Sequence, residues 1–398
     1  MTTALFHRAI IPAVFMLAVG LAAMVRGDAP QADGPKLPGI AQRMKQFVDK
    51  GEIAGSVTVV ASRDKVLSLD AVGRADVAGN VPMQPDTLFW IASMTKPITG
   101  TAIMMLAEEG KLSVDDPVSK YIPELAHLKT ADGVEHVVTL KHLLTHSSGM
   151  ADVTAEQSKS AHTLGDLVPY YTMQPLHFAP GTKWQYCQSG INTLGRIVEI
   201  VSGQSYPAFL QEHLFTPLGM KDTTFYPTTR QQARLAKSYR IADGKLVETA
   251  NYFLQGRSPD SQERVPAANG GLFSTAPDYA RFLQMILNNG ELNGHRYLKA
   301  ETVKQMTSVQ SGDLKTGFTP GNGWGLGWCV VVHPQGVSAM LSPGSCGHGG
   351  AYGTQAWIDR TKGLIFVLMV QRADFPNSDA SDVREGFQQA AVDALKKN

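Results

Sequence analysis

The chain has almost no net charge to offer a polyanion, since 36 Lys and Arg offset 35 Asp and Glu. That balance gives no basic stripe for phosphates, so no nucleic-acid partner is expected. Cysteine is scarce. Three residues allow at most one internal bridge and one free thiol. Cys329 and Cys346 lie in neighbouring late segments, but their offsets from a turn centred on "HPQG" do not match, so their pairing stays open. Cys187 has no nearby histidine arranged to activate it and reads as a small buried filler. Internal repeats and low-complexity tracts are missing beyond the first residues. Three familiar site patterns are missing as well. No G-x-S-x-G elbow occurs, which argues against the α/β-hydrolase kind of serine enzyme. His142 and His146 have metal-ligand spacing, but Leu143 replaces the glutamate of H-E-x-x-H, so both read as structural and no metal is expected. "GNGWGLGW" lacks the third glycine of a dinucleotide loop and does not lead from strand to helix, which fits a close-packed strand entry.

What is present begins with a leader. Arg8 precedes an apolar stretch from Ala9 to Val25 and a small-residue exit near Gly27. This is the layout of a secretory signal peptide over residues 1–27, and it predicts a secreted or periplasmic chain. An uncleaved single-span anchor is the alternative, and the membrane would then be touched only through this segment. Residues 36–50 have amphipathic helical spacing. "SVTVVASRDKVLSLDAVG" reads as two strands around a polar tip. From about Ser93 to Thr316 the periodicity is mostly helical, as in "TLKHLLTHSSGM", "INTLGRIVEIVSG" and "SYPAFLQEHLFTPLGM". In "STAPDYARFLQMILNNG", Ser274 is placed to cap a helix with Asp278 in its opening turns. β-rich, Gly-bounded text returns from Gly325, and "DVREGFQQAAVDALKK" closes the chain as a helix. The expected fold is α+β within the broad α/β class. One antiparallel sheet is built from both ends of the chain (28–90 and 318–398), and a mainly helical region (91–317) is inserted between them.

Two Ser-x-x-Lys copies occur, at Ser62–Lys65 and Ser93–Lys96. The first falls on the hairpin tip, where a hydrated lysine is a poor base. The second opens a helix whose Ile98, Ala102, Met105 and Leu106 recur at helical spacing before Gly110. Pro97 is tolerated in the first turn, and Lys96 shares a face with Ser93 at i+3. Burial lowers a lysine pKa and makes it a base, while a helix N-terminus favours a developing oxyanion. A capping serine followed by a snorkelling lysine is the bland alternative.

Further stretches narrow the choice. "FAPGTKWQYCQSG" puts Tyr186 and Gln188 in a loop before a helix, and "GSCGHGGAYGTQAWID" puts His348-Gly349-Gly350 at the start of a strand. With Ser93-x-x-Lys96 they fall in an order that resembles the serine β-lactamase and penicillin-binding superfamily. The match is to its class C branch, including family VIII carboxylesterases. "GKLSVDDPVSKYIPEL", "LKHLLTHSSGM", "PLGMKDTTF" and "NGGLFSTAPDYARFLQMI" are similar to the same family, so the resemblance spans roughly residues 36–372.

The resemblance implies a β-lactamase/transpeptidase-like fold and an acyl-serine mechanism that needs no cofactor. It casts Ser93 as nucleophile, with Lys96 and Tyr186 as bases whose pKa values must both fall. Backbone N–H groups of Ser93 and Ala351 would form the oxyanion hole, and Gln188, His348, Gly349 and Gly350 would line the substrate. Two departures matter: Gln188 stands where the family usually has asparagine, and His348-Gly349-Gly350 stands where it often has Lys-Thr-Gly. Gln188, one methylene longer, is expected to crowd the cleft. A mostly neutral His348 weakens the anchor for a substrate carboxylate. The expected substrate is therefore a small uncharged ester. A β-lactamase, a D-alanyl-D-alanine carboxypeptidase or D-aminopeptidase acting on amides, and a penicillin-binding wall protein without turnover are the alternatives.

Overall fold

The computed structural model describes residues 1–2 and 37–396. Apart from its first two residues, the expected leader lies outside them. An eight-stranded antiparallel sheet forms the centre. Its strands are β1 (Gly55–Ala61), β2 (Val66–Asp76), β3 (Val81–Pro82), β4 (Asn322–Trp324), β5 (Cys329–Val331), β6 (Cys346–Gly349), β7 (Gln355–Asp359) and β8 (Leu364–Met369), in the spatial order β4-β5-β6-β7-β8-β1-β2-β3. β1 pairs with β8 across more than three hundred positions, Val57 facing Met369 and Ala61 facing Ile365.

Both faces of β1 and β8 are covered, so β8 is apolar at every position and the polar residues of β1, Ser56 and Thr58, are buried as well. The period of two is still visible in which core each side chain joins. Val57, Val59, Ile365 and Val367 pack on one side with the inserted helices. Val60, Phe366 and Leu368 pack on the other with α1 (Ile40–Asp49) and the C-terminal helix. α1 buries Ile40, Met44 and Phe47, one stripe of an otherwise polar helix.

α2 (Thr95–Glu108) runs through the middle and is buried on nearly every side. Its threonines bond inside the fold, Thr99 Oγ1 to the Ala268 carbonyl at 2.6 Å and Thr101 Oγ1 to Pro97 at 2.8 Å. Gly100 admits the "GNGWGLGW" backbone, since a Cβ there would sit 2.5 Å from the Leu326 carbonyl oxygen. α3 (Gln188–Ser202), α4 (Ala276–Leu287) and α5 (Asp382–Lys396) complete the long helices. No helix among the described residues is long and apolar enough to cross a membrane.

Several expectations need correction. Thr275, not Ser274, caps α4 by accepting from Asp278 N, while Ser274 lies in a two-residue strand against Phe89–Trp90. The helix of "TLKHLLTHSSGM" is confined to Leu140–Leu144, and His146 follows it in the left-handed region (φ 57°). Ser238–Ala242 and Lys245–Thr249 form a hairpin inside the mainly helical region. Its signal was present: Asp243-Gly244, both with positive φ, are the residues a tight primed turn requires. All three cysteines are buried free thiols. Register explains why Cys329 and Cys346 stay apart. Cys329 pairs with Gly347 and Val330 with Cys346, so the two thiols point to opposite faces of the sheet. Each joins a different core.

Candidate active site

Ser93 sits in a single 3-10 turn, Ala92–Met94, between the short strand Phe89–Trp90 and α2. Ala92 holds φ at 46°, a left-handed conformation that costs energy for a residue with a Cβ and reverses the chain just before Ser93. Thr95 Oγ1 locks the reversal by donating to the Ala92 carbonyl at 2.7 Å. One turn on, Lys96 Nζ lies 3.0 Å from Ser93 Oγ. It donates also to Gln188 Oε1 at 2.8 Å and to the Asn269 carbonyl at 2.7 Å. The lysine is fully buried and, among the described residues, no carboxylate lies within ion-pair distance, so burial pulls its pKa down to about 7. The carboxyl groups of Asp152 and Asp379 resist that fall. By contrast, Ser62 bonds Asp64 Oδ1 at 2.6 Å on the exposed hairpin tip and touches none of this.

Tyr186 arrives from the loop before α3, its ring face 4.6 Å from Lys96 Nζ and its hydroxyl 3.5 Å from His348 Nε2. Its environment reverses the expectation for its pKa. Burial of the hydroxyl raises it well above the usual tyrosine value, only partly countered by a hydrogen bond with Ser93. Tyr186 is thus a neutral hydroxyl here, and only Lys96 is shifted in the direction a base requires.

His348 and Gly349 end β6 and do not start a strand. Within β6 only Cys346 and Gly347 pair with β5, so His348 and Gly349 have no ladder partner in β5. Gly350 passes close under the serine turn: a Cβ there would lie 2.6 Å from the Ile91 carbonyl oxygen. At Gly349 a Cβ would collide with Asp379 Oδ1. His348 Nδ1 must donate to the Gly349 carbonyl at 2.6 Å, which leaves Nε2 as an acceptor toward Tyr186. Burial, then the nearby Lys96 charge, lowers its pKa to about 3, so it is uncharged at neutral pH. Ser93 and Ala351 line one cleft of about 390 Å³ together with Gln188.

Gln188 does not crowd that cleft as expected. Its Oε1 turns inward and accepts from both Lys96 Nζ and Asn269 Nδ2, the latter at 2.7 Å. Two neighbours, Asn269 and Asp152, escaped the reading of the chain, and a third, His146, is the structural histidine expected. Asn269 fixes Lys96 and Gln188 together, and its only signal was its place in "NGGLFSTAPDYARFLQMI". Asp152 Oδ1 accepts from Gln188 N at 2.6 Å and Ser189 N at 2.8 Å, capping α3 so that Gln188 starts where it does. His146 packs its ring 4.5 Å from that of Tyr186, and its Nδ1 accepts from Cys187 N at 3.2 Å. His142 Nδ1 accepts from Thr139 N, so the two histidines serve different backbone segments. Among the described residues no group of three or more His, Cys, Asp or Glu is placed to hold a metal.

A buried lysine paired to a serine, between an antiparallel sheet and a helical region, defines a serine hydrolase of the β-lactamase/transpeptidase fold. The chain belongs to the beta-lactamase family, whose description matches residues 40–391. It is 33% identical over 375 residues to a Mycobacterium tuberculosis protein described as uncharacterized, covering 87% of this chain and 92% of that one. Esterase EstB of Burkholderia gladioli is 31% identical over 361 residues, covering 82% and 88%. Among solved structures, EstCE1, a hydrolase with promiscuous acyltransferase activity, shares the fold with a TM-score of 0.75 at 24% identity, over 90% of this chain and 97% of that one.

Proposed function

We propose that the protein is an exported serine hydrolase that cleaves small carboxylic esters through an acyl-Ser93 intermediate. The observation that carries this reading is the 3.0 Å approach of a buried lysine, with its pKa near 7, to Ser93 Oγ. In its neutral form Lys96 keeps two N–H bonds, to Gln188 Oε1 and the Asn269 carbonyl, and its lone pair is left facing the serine. Lys96 then takes the Ser93 proton as Oγ bonds to the ester carbonyl carbon. The N–H groups of Ser93 and Ala351 receive the oxyanion, a contribution of about 2.7–4 kcal/mol per donor in comparable sites. As the C–O bond breaks, the Tyr186 hydroxyl gives its proton to the departing alkoxide and regains one from the Lys96 ammonium. Water, activated in reverse, releases the acid.

An ester is favoured over a β-lactam because the His348 imidazole carries no charge for a carboxylate, and the Asp379 carboxyl lies against Gly349. The similarity to Esterase EstB points the same way. Export rests on the Arg8 and Ala9–Val25 layout, and N-terminal sequencing of the mature chain tests it. For the chemistry, purified protein is given a short-chain chromogenic ester and a cephalosporin, with intact mass read for an adduct. Expected are turnover of the ester at a kcat/KM at least about tenfold above the cephalosporin, and no adduct in Ser93→Ala. Cephalosporin hydrolysis at or above the ester rate would overturn the reading in favour of a β-lactamase.

A further inference from the structure

The cleft that holds Ser93 and Gln188 is also lined by Asn192, Phe253, Arg257 and Arg264, and among the described residues no Asp or Glu lines it. Arg264 is the unusual member, because its residue is only 4% exposed. One nitrogen, Nη2, donates to the carbonyls of Phe225, at 2.6 Å, and Pro259. Nε and Nη1 are buried and have no hydrogen-bond partner among the described residues. The guanidinium carbon lies 5.3 Å from the Tyr226 ring centre and 5.9 Å from that of Phe253. Among the described residues no carboxylate is within ion-pair distance of Arg264, and Asp260 acts on it only through space. Arg257, also on the cleft, is held by the Lys159 carbonyl at 2.8 Å and loosely by the exposed Glu263 at 3.8 Å. A strut for two carbonyls needs neither a charge nor the two idle donors. A buried guanidinium left half-bonded beside a cleft is costly unless an anion completes it.

The side of the reaction follows from the proton donor. Tyr186 serves the leaving group, and neither it nor the adjacent His348 lines this cleft. The acyl group therefore occupies the cleft and points toward Arg264. We infer that the acyl pocket is an anion-recognising subsite, and that the preferred substrates are half-esters of short dicarboxylic acids whose distal carboxylate bonds Arg264, with Arg257 adding positive charge. This rests on the ester-hydrolase reading and deepens it. The carboxylate lies on the acyl side, opposite the uncharged His348.

The test compares ethyl half-esters of succinate, glutarate and adipate with uncharged ethyl esters of matching chain length on the wild-type protein. At least one half-ester should exceed its uncharged counterpart in kcat/KM by about ten- to a hundredfold, the size of one good charged hydrogen bond. In Arg264→Gln that ratio should collapse toward one, and Arg264→Lys should keep part of it, which a purely structural role would not produce. Good turnover of uncharged esters with no preference at any length overturns the subsite and leaves the esterase reading standing. If no ester of either kind is hydrolysed, the esterase reading fails and binding decides the subsite alone. Free glutarate, but not valerate, should then raise the melting temperature of the wild type, and equal effects overturn the subsite. If Arg264→Gln does not fold, inhibition of the wild type by glutarate against valerate replaces it, and equal inhibition again overturns the proposal.

Discussion

Lys96 has its environment arranged around one proton. With its pKa near 7 and the neutral form acting as base, kcat/KM for an ester should rise with pH through about 7 and then level off. Because burial pushes the Tyr186 hydroxyl upward, no falling limb from that residue should appear below about pH 10, its ordinary value. A profile that is flat from acid to alkaline pH would remove Lys96 from the base role. Lys96→Ala should cost more than about a hundredfold in rate. Tyr186→Phe should also be severe, since the ring still packs on His146 but the proton donor is gone. Near-normal turnover in Tyr186→Phe would mean that solvent protonates the leaving group. Ser62→Ala should leave activity unchanged, because that hydroxyl serves only the hairpin tip.

At the scale of elements, α3 is held in register by a side chain from a loop. Asp152 satisfies two N–H groups at its start, and the first helical residue is Gln188, which fixes Lys96. Asp152→Ala should cost about 1–2 kcal/mol of stability, as loss of an N-cap does, and lower Tm by a few degrees. The same variant should slow turnover, since Gln188 loses its fixed position, and Asp152→Asn should retain most of both. Calorimetry beside steady-state kinetics checks the pair. Unchanged Tm in Asp152→Ala would show that water satisfies these groups equally well. The end of β6 is as tightly constrained. Gly350→Ala should reduce kcat in a protein that still folds, because the new methyl meets the Ile91 carbonyl beneath the serine turn.

For the whole molecule, the β1–β8 pairing joins the two ends of the chain, and each cysteine is sealed inside a core. Burial pushes all three thiols up, Cys346 to about 11 and the others further, so none is a ready thiolate. A thiol reagent at neutral pH should find almost none of them in the native protein and all three in guanidinium, with or without prior reduction. Fewer than three after unfolding would mean a disulfide that the register of β5 and β6 does not permit.

Much of this was written locally. The apolar runs of β1 and β8, the stripe of α1 and the spacing of Ser93 and Lys96 are short-range patterns, so the sequence itself determined most of the long elements and marked Ser93 and Lys96 as the candidate pair. The order of Ser93-x-x-Lys96, Tyr186 and His348-Gly349-Gly350 carried the family. Charge states were another matter. Nothing near Tyr186 in the chain says that its hydroxyl is pushed up while Lys96 is pushed down, because a pKa depends on burial and on charges brought in from distant segments. Asn269, Asp152 and Arg264 are ordinary polar residues in loops. Only the packing of those loops on distant segments turned them into an anchor, a cap and a half-bonded buried cation. The one-residue offset that parts Cys329 from Cys346 was likewise decided by strand register, which fixes the face on which each side chain lies.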